Sequence, residues 1–517
     1  MSSKEPALLN FGMELELKYQ NHIMFKRILV SIGVLTSALL SAQNDSYKFQ
    51  VNNLKDTVVY LASYYGEKLY YADTAYADGQ GNFSFGEIAQ ENQGKYAVVI
   101  PGPRYFEIVI ADNEEIKIET DTADLTGNLK VLQSENNKIL YDYMGFLTER
   151  RKERELLLEK LEENEGEPEI TKAIKTEYNA LNEKVAEYQR NIAVQNPNKY
   201  AAKEIYMAVE PEPPANLRED KTKAYYYYKQ HYFDNIDLKD DRIIRSPVFH
   251  GRLDNYLNKT LIQNPDTVAK AMDDLIDKLE PGSEVFKYVV HYSTYSFETS
   301  KIMGMDKAFV HMVDNYYKPD LAFWMDEEKL ETIKEKANQK RNTLIGDVIP
   351  ELILMDTLGN WISSHKDLEQ KYVLIYFYDP DCGHCKKESP KLAEFYKDFD
   401  QDLLGIYAVS SETGEKWTDF IKKNKMDFFN VAIPKKAYED AEYATSLITS
   451  RKTNYTSLKY QETYDVYSTP KILLVDQDRV IRAKDIGVDQ IGDFINRLEG
   501  IGIEEPGKEE MDTVKDQ

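Results

Sequence analysis

Cysteine is scarce in this sequence, and its scarcity excludes several kinds of site. The 517 residues include two cysteines, Cys382 and Cys385. A structural zinc site needs about four ligands, but no second C-x-x-C exists and no nearby histidine pair could complete one. A purely structural disulfide is disfavoured too, because closing so short a loop restricts the unfolded chain little. The sequence therefore predicts no metal and no cofactor, and it favours a redox-active cysteine pair.

Positive charge is in the minority. Lys and Arg together number 65, against 89 Asp and Glu, which gives a formal net charge of -24. Such a surface repels phosphate backbones, so nucleic acid is not expected as a partner. Hydrophobic residues make up 42% of the chain and charged residues 30%, a composition typical of folded domains. At roughly 100 to 200 residues per domain, a chain of this length holds about three domains.

Long apolar runs are missing as well. The run near the start, residues 28–40, follows Lys26 and Arg27 and falls short of the roughly 20 apolar residues that span a bilayer. This pattern is typical of a cleavable signal peptide, at about residues 24–42, and of export to the periplasm. An uncut amino-terminal anchor is the alternative. No cysteine directly follows the run, which excludes a lipid-modified cysteine at the mature terminus, and residues 1–23 are expected to be an upstream extension.

Residues 43–136 alternate apolar and polar side chains in short runs. Examples are residues 47–51 and 106–110, and turn signals such as Asp78-Gly79 separate the runs. A period of two predicts an amino-terminal antiparallel β-sandwich. Because this region has no clustered histidines, paired acids or glycine-rich loop, we expect it to act as a scaffold or docking surface.

Residues 137–340 change to a helical periodicity and predict a central α-helical region. Apolar residues recur three and four apart, and the polar break at residues 162–168 predicts a hairpin whose second arm is residues 170–192. The tyrosine run at residues 225–228 could stack on a ligand, but packing is the expected role. No chemistry is expected here, and residues 501–517 are expected to form an acidic tail.

The chemistry begins with the motif C-G-H-C that starts at Cys382. An apolar strand, residues 372–377, leads into the motif, and a helical run, residues 386–399, follows it. This order places the first sulfur at a helix amino terminus, where backbone N–H groups and the helix dipole favour a thiolate. We therefore predict that Cys382 is the nucleophile and that Cys385 is a more buried resolving thiol.

A second motif, Thr469-Pro470, precedes the apolar run at residues 472–475. A proline is tolerated where a strand begins, because the ladder does not yet need its N–H. Together with the C-x-x-C order, this arrangement resembles the thioredoxin family, and most closely its TlpA/ResA-like envelope branch, within the predicted domain at residues 341–500. The sequence Cys-Lys-Lys-Glu-Ser-Pro at residues 385–390 also matches that branch.

The resemblance implies a carboxy-terminal α/β thioredoxin fold and disulfide exchange with protein substrates. It implies that Pro470 is cis and faces the cysteines, and that the backbone of Thr469 pairs with the substrate. Glu388 corresponds to the family's acid after the motif, which helps proton transfer, and a plain solvent-facing carboxylate is the alternative. The buried acid of thioredoxin falls here on Tyr376, so proton transfer would rely on Glu388, water or substrate.

The two regions before residue 341 resemble accessory domains that precede thioredoxin modules in Bacteroidetes envelope proteins. Residues 434–464 are longer than a minimal thioredoxin needs at that point. We expect this insertion to border the active site and shape substrate choice, and a surface helix without such a role is the alternative.

The sequence contains features that favour each direction of electron flow. His384 would stabilise a thiolate and make the disulfide more oxidising. The TlpA/ResA-like branch, however, is generally reducing and takes electrons from a membrane donor, and Asp379 and Asp381 oppose a thiolate. We expect a reductase; an oxidant or isomerase, or a scaffold with an auxiliary redox module, is the alternative. A peroxidase is disfavoured, because the pattern P-x-x-x-T-x-x-C is absent around Pro380.

Overall fold

The computed structural model describes residues 46–102 and 104–501. The upstream extension, the predicted signal peptide and nearly all of the acidic tail lie outside these residues. No helix within the described ranges is both long enough and apolar enough to cross a membrane.

The amino-terminal region is a β-sandwich whose strands follow the alternation in the sequence. Along its first strand, buried and more exposed side chains alternate, as the pleat of a strand requires. The strands are β1 (Tyr47–Asn52), β2 (Thr57–Tyr65), β3 (Lys68–Ala77), β4 (Asn82–Phe85), β5 (Gly94–Ile100), β6 (Arg104–Ile110), β7 (Ile116–Asp121) and β8 (Lys130–Gln133). They form two sheets, in the orders β4-β1-β7-β8 and β3-β2-β5-β6.

One strand pair corrects the prediction of a purely antiparallel sandwich. Strands β1 and β7 run parallel, with Tyr47 opposite Ile116, whereas the other pairs described in this region are antiparallel. A parallel pair needs a long connection, and the chain between β1 and β7 supplies one by building the second sheet. The alternation of side chains is the same in both arrangements, so it does not reveal strand direction.

The middle region is helical. Its helices are α1 (Glu135–Glu163), α2 (Pro168–Gln195), α3 (Tyr200–Met207), α4 (Ala215–Arg218), α5 (Lys221–His231), α6 (Pro247–Asn255), α7 (Pro265–Ile276), α8 (Glu284–Glu298), α9 (Asp306–Tyr316) and α10 (Glu327–Arg341). Helices α1 and α2 pack against each other as a hairpin through Leu157, Ile174 and Leu181. Helices α6 to α10 enclose a larger apolar core.

The carboxy-terminal region is an α/β domain around one sheet. Its strands are β9 (Ile353–Asp356), β10 (Trp361–Ser363), β11 (Tyr372–Tyr378), β12 (Leu404–Ser410), β13 (Phe429–Ala432), β14 (Lys471–Asp476) and β15 (Ile481–Lys484), and its helices are α11 (Cys385–Asp398), α12 (Glu415–Asn424), α13 (Lys435–Glu439), α14 (Ala441–Thr449), α15 (Tyr455–Leu458), α16 (Tyr460–Thr463) and α17 (Ile491–Leu498). The sheet order is β10-β9-β13-β12-β11-β14-β15. The predicted fold class, a β-sandwich, a helical region and a thioredoxin-like α/β domain, is confirmed.

Helices cover one face of this sheet, and the insertion at residues 434–464 covers part of the other. Residues of α11, α12 and α17 pack on the first face. On the second face, Tyr460 stacks on Phe377 of β11 with ring centroids 5.7 Å apart, and Tyr464 contacts the same ring. Both tyrosines are buried. The insertion therefore supplies core beneath the strand that leads to the cysteines, which is more than a surface helix does.

A buried lysine joins the α/β domain to the helical region. Lys484 of β15 pairs with Asp306 at the start of α9 and donates to the carbonyl oxygen of Thr343, 2.8 Å away. The side chains of Lys484 and Asp306 are only 8% and 14% exposed. Because a buried charge is costly without its partner, this pair holds the two regions in one arrangement.

We expect Lys484→Met to lower the free energy of unfolding by about 3 kcal/mol, because it leaves the Asp306 carboxylate buried without its cation. Arg482→Met, in the same strand, is the matched control. The Arg482 side chain is 47% exposed in its pair with Asp476, so its loss should cost less than about 1 kcal/mol. Urea unfolding measures both, and equal losses in the two variants would contradict the buried contact.

Candidate active site

Cys382 lies where the chain passes from β11 into α11. Its N–H donates to the carbonyl oxygen of Asp379 at 3.1 Å, and its own carbonyl oxygen accepts from the N–H of Lys386 at 3.1 Å. The backbone N–H of Cys385 points at the Cys382 sulfur, 3.5 Å away. The sulfur therefore lies at the amino end of α11, where N–H groups lack helical partners and favour negative charge.

The loop before β14 brings Thr469 and Pro470 to the same place. The peptide bond between them is cis, and the Cys382 thiol donates to the carbonyl oxygen of Thr469 at 3.1 Å. The Thr469 side chain also lowers the pKa of both Cys382 and Cys385. The structure therefore unites four of the residues singled out from the sequence.

The two thiols have opposite electrostatic environments. Partial burial raises the pKa of Cys382, but hydrogen bonds from the N–H groups of Cys385 and His384, and from the Thr469 hydroxyl, outweigh it and hold the pKa below its usual value. Cys385 is fully buried. Burial, together with the neighbouring Cys382 thiolate, raises the pKa of Cys385 to about 11, although the N–H of Asp379 and the Thr469 hydroxyl act against this rise.

Hydroxyl groups rather than a carboxylate surround Cys385. The Tyr376 hydroxyl lies 2.9 Å from that of Ser389, and burial raises the pKa of Tyr376 far enough to keep it neutral. The neighbouring Tyr378 hydroxyl accepts from the Trp417 indole at 2.7 Å. Neither Ser389 nor Trp417 was predicted from the sequence. The spacing of Ser389, four residues after Cys385 and so on the same face of α11, could have revealed it.

His384 and Glu388 lie nearer the surface than the buried sulfur of Cys385. The His384 side chain is exposed, and its carbonyl oxygen accepts from the N–H of Glu388 at 2.9 Å. The Glu388 carboxylate accepts from Lys391 at 2.8 Å. His384 thus acts on Cys382 through its backbone N–H, while the Glu388 carboxylate is held by a neighbouring lysine.

Asp381, one of the two acids before the motif, opposes a thiolate less than its charge alone suggests. Asp381 forms an ion pair with Lys416 of α12, and the hydrogen bond from Lys416 holds the pKa of Asp381 below its usual value. The positive charge of Lys416 therefore offsets the negative charge of Asp381. In the part of the chain that the structure describes, no group of three or more His, Cys, Asp or Glu side chains could hold a metal ion.

Comparisons with known proteins agree with this geometry. Residues 345–484 match the model of the AhpC/TSA family, and residues 169–342 match a domain of unknown function, DUF5106. The thiol-disulfide oxidoreductase ResA of Bacillus cereus is 29% identical over 149 residues, which cover 29% of this chain and 73% of that protein.

Two solved structures are also similar. A domain of a possible thiol-disulfide isomerase from Cytophaga hutchinsonii is 30% identical, covering 30% of this chain and 94% of that chain, with a TM-score of 0.25. A thioredoxin-like protein from Bacteroides caccae is 16% identical, covering 55% of this chain and 96% of that chain, with a TM-score of 0.40.

The fold, the paired thiols and the AhpC/TSA match define the carboxy-terminal region as a thioredoxin-like domain. Through this domain the chain is similar to the thiol-disulfide oxidoreductases, and it is an oxidoreductase enzyme. The resemblance inferred from the sequence is confirmed at this level.

The two thiols should differ in their reaction with iodoacetamide. In Cys385→Ser, alkylation of Cys382 should rise with pH to a midpoint below that of an ordinary cysteine, because the thiolate reacts and the Cys382 pKa is lowered. In Cys382→Ser, Cys385 should react at least about tenfold more slowly at pH 7.5, because burial keeps it protonated and inaccessible. Mass spectrometry of timed samples measures both rates. Equal rates would contradict the asymmetry.

Proposed function

We propose that the protein is an exported reductase that passes two electrons from Cys382 and Cys385 to disulfides of protein substrates. The asymmetry of the two thiols carries this proposal. Cys382 is partly exposed and has a lowered pKa, whereas Cys385 is buried and has a pKa of about 11. A dithiol of this kind has one sulfur that can attack a substrate and one that stays protected until it is needed.

In the first step the Cys382 thiolate attacks one sulfur of the substrate disulfide. A bond forms between Cys382 and that sulfur, the substrate S–S bond breaks, and the other substrate sulfur leaves as a thiolate that takes a proton from water. The carbonyl oxygen of Thr469 lies 3.1 Å from the Cys382 sulfur. A substrate joined to Cys382 is thus placed to form a backbone hydrogen bond with Thr469, beside Pro470.

In the second step Cys385 closes the protein disulfide. Forming the mixed disulfide removes the charge on Cys382, which is one of the influences that raise the Cys385 pKa. Cys385 then ionises more readily, attacks the Cys382 sulfur and releases the second substrate thiolate. The substrate gains two electrons and two protons, and the protein becomes oxidised. Glu388, partly exposed and about one turn after Cys385, is the proposed group for exchanging the proton with solvent.

The next cycle requires a reductant of the dithiol class, and we propose a membrane protein as this electron donor. Export to the periplasm rests on residues 24–42 of the sequence, with their basic start and short apolar run.

The environment of Cys382 supports reduction over oxidation. A strongly oxidising pair depends on a greatly stabilised thiolate, and partial burial of Cys382 opposes its thiolate, although hydrogen bonds hold the pKa of Cys382 below its usual value. The His384 side chain is exposed to water, which screens its charge. The Gly-His dipeptide between the cysteines favours the second candidate, an oxidant or isomerase of envelope disulfides.

The reduction potential of the Cys382 and Cys385 pair tests the direction of electron flow. We expect about -250 mV or lower after equilibration in thiol buffers, read by alkylation of the free thiols, because partial burial opposes the Cys382 thiolate. A value between about -180 and -120 mV would favour the oxidant or isomerase. If no disulfide forms in any of the thiol buffers, the proposed redox function is overturned.

A redox-inactive variant separates an enzyme from a scaffold. The double substitution Cys382→Ser and Cys385→Ser keeps both accessory regions and removes only the sulfurs. If the protein is a reductase, this variant should no longer reduce the disulfides of its substrates. If the protein is a scaffold with an auxiliary redox module, the variant should still replace the unaltered protein in the cell. The single variant Cys385→Ser keeps Cys382 but cannot close the protein disulfide. It should therefore accumulate mixed disulfides between Cys382 and the substrate.

A further inference from the structure

The loop that carries Thr469 and Pro470 is closed at its base by a lysine. This loop runs from Asp465 to Lys471, the first residue of β14. The Lys471 ammonium group donates to the carbonyl oxygen of Asp465 at 2.9 Å and lies 3.6 Å from the Asp465 carboxylate. Within the closed loop, the Thr469 carbonyl oxygen accepts from the Cys382 thiol at 3.1 Å. The contact at the base therefore bounds the segment that lies against the reactive sulfur.

A second lysine reaches the same carboxylate from the helical region. Lys340, in the last turn of α10, lies 3.4 Å from the Asp465 carboxylate. The side chains of Lys340, Asp465 and Lys471 are 26%, 18% and 10% exposed. Because charges that are partly shielded from water are screened less than exposed ones, both contacts contribute to holding the loop.

The end of α10 is attached to the same sheet by a separate contact. Thr343, two residues after α10, accepts a hydrogen bond from the buried Lys484 of β15 at 2.8 Å, and β15 pairs with β14. Lys340 therefore extends from a support that is already fixed to the α/β domain. A contact made from a fixed support can set the position of a loop, whereas a mobile helix end would only follow the loop.

We propose that Lys340 is a positioning residue for substrate reduction. Through Asp465 it holds the loop so that the Thr469 backbone is aligned with a polypeptide joined to Cys382. This inference rests on the proposed function, in which the substrate forms a backbone hydrogen bond with Thr469. It gives the helical region a part in the reaction. Lys340 contacts Asp465 rather than the reacting atoms, so its effect should be confined to substrates that pair with the loop.

The test compares two disulfide substrates of the full-length reduced protein. One is a short peptide dimer linked by a single disulfide, whose backbone can pair with Thr469, and the other is 2-hydroxyethyl disulfide, which has no peptide backbone. Lys340→Met should lower the second-order rate constant with the peptide about fivefold, because a small displacement of an aligning group slows a reaction. The rate constant with 2-hydroxyethyl disulfide should change less than about twofold. Acid quenching and chromatography measure both rate constants.

Two variants of the same helix are the controls. Lys340→Arg keeps the charge and should retain most of the rate with the peptide. Lys336→Met removes the same charge one turn earlier in α10, where Lys336 pairs with Glu298 of the helical region at 2.8 Å. It should leave both rate constants unchanged.

Asp465→Asn tests the route by which Lys340 acts. This variant should slow reduction of the peptide by itself. Lys340→Met should have no further effect when it is added to Asp465→Asn, because the contact between the two residues is then already lost. If the two losses multiply instead, Lys340 acts elsewhere and the proposed role is overturned.

The outcomes separate this role from the proposed function. If Lys340→Met reduces the peptide at the rate of the unaltered protein, or slows both substrates equally, the positioning role is overturned and the reductase stands. An equal loss in Lys336→Met would also overturn it. If the unaltered protein reduces neither the peptide nor 2-hydroxyethyl disulfide, the proposed function fails and the positioning role fails with it.

Discussion

The hydrogen-bonded ladder between β11 and β14 sets the distance on which the site depends. Its register runs from Tyr372 opposite Asp476 to Phe377 opposite Lys471. Because the strands are antiparallel, the chain leaves β11 and enters β14 at the same end of the sheet, so Cys382 and Thr469 meet there. A slip of one residue would turn Tyr376 away from α11 and move Thr469 off the sulfur.

Helix geometry makes two chemically identical thiols unequal. Cys382 precedes the first turn of α11, where backbone N–H groups point at its sulfur and solvent reaches it. Cys385 lies one turn further on and is covered by the sheet and by Tyr376. The same short segment therefore creates a reactive sulfur and a protected one, and the charge on the first helps to keep the second protonated.

Local patterns were enough to predict the three regions, and also the strand, motif and helix around the cysteines. Each of these predictions depends on residues that are neighbours in the sequence, through alternation, helical spacing or the C-x-x-C motif. Contacts between residues that are distant in the sequence could not be predicted in this way. Nothing near Asp381 indicates Lys416, and nothing near Asp465 indicates Lys340 of α10. The parallel pairing of β1 with β7 was also hidden, since side chains alternate identically in parallel and antiparallel strands. Each of these features is decided by tertiary packing.

Because Tyr460 stacks on Phe377, changes in the insertion and changes in strand β11 constrain each other. A loop that only decorates a surface can be lengthened, shortened or exchanged without consequence for the rest of a protein. Here two rings of the inserted segment fill space beneath β11, so a deletion would leave a cavity under the strand that leads to the cysteines. Change in this segment is therefore restricted to its exposed positions, because Tyr460 and Tyr464 are held in the core.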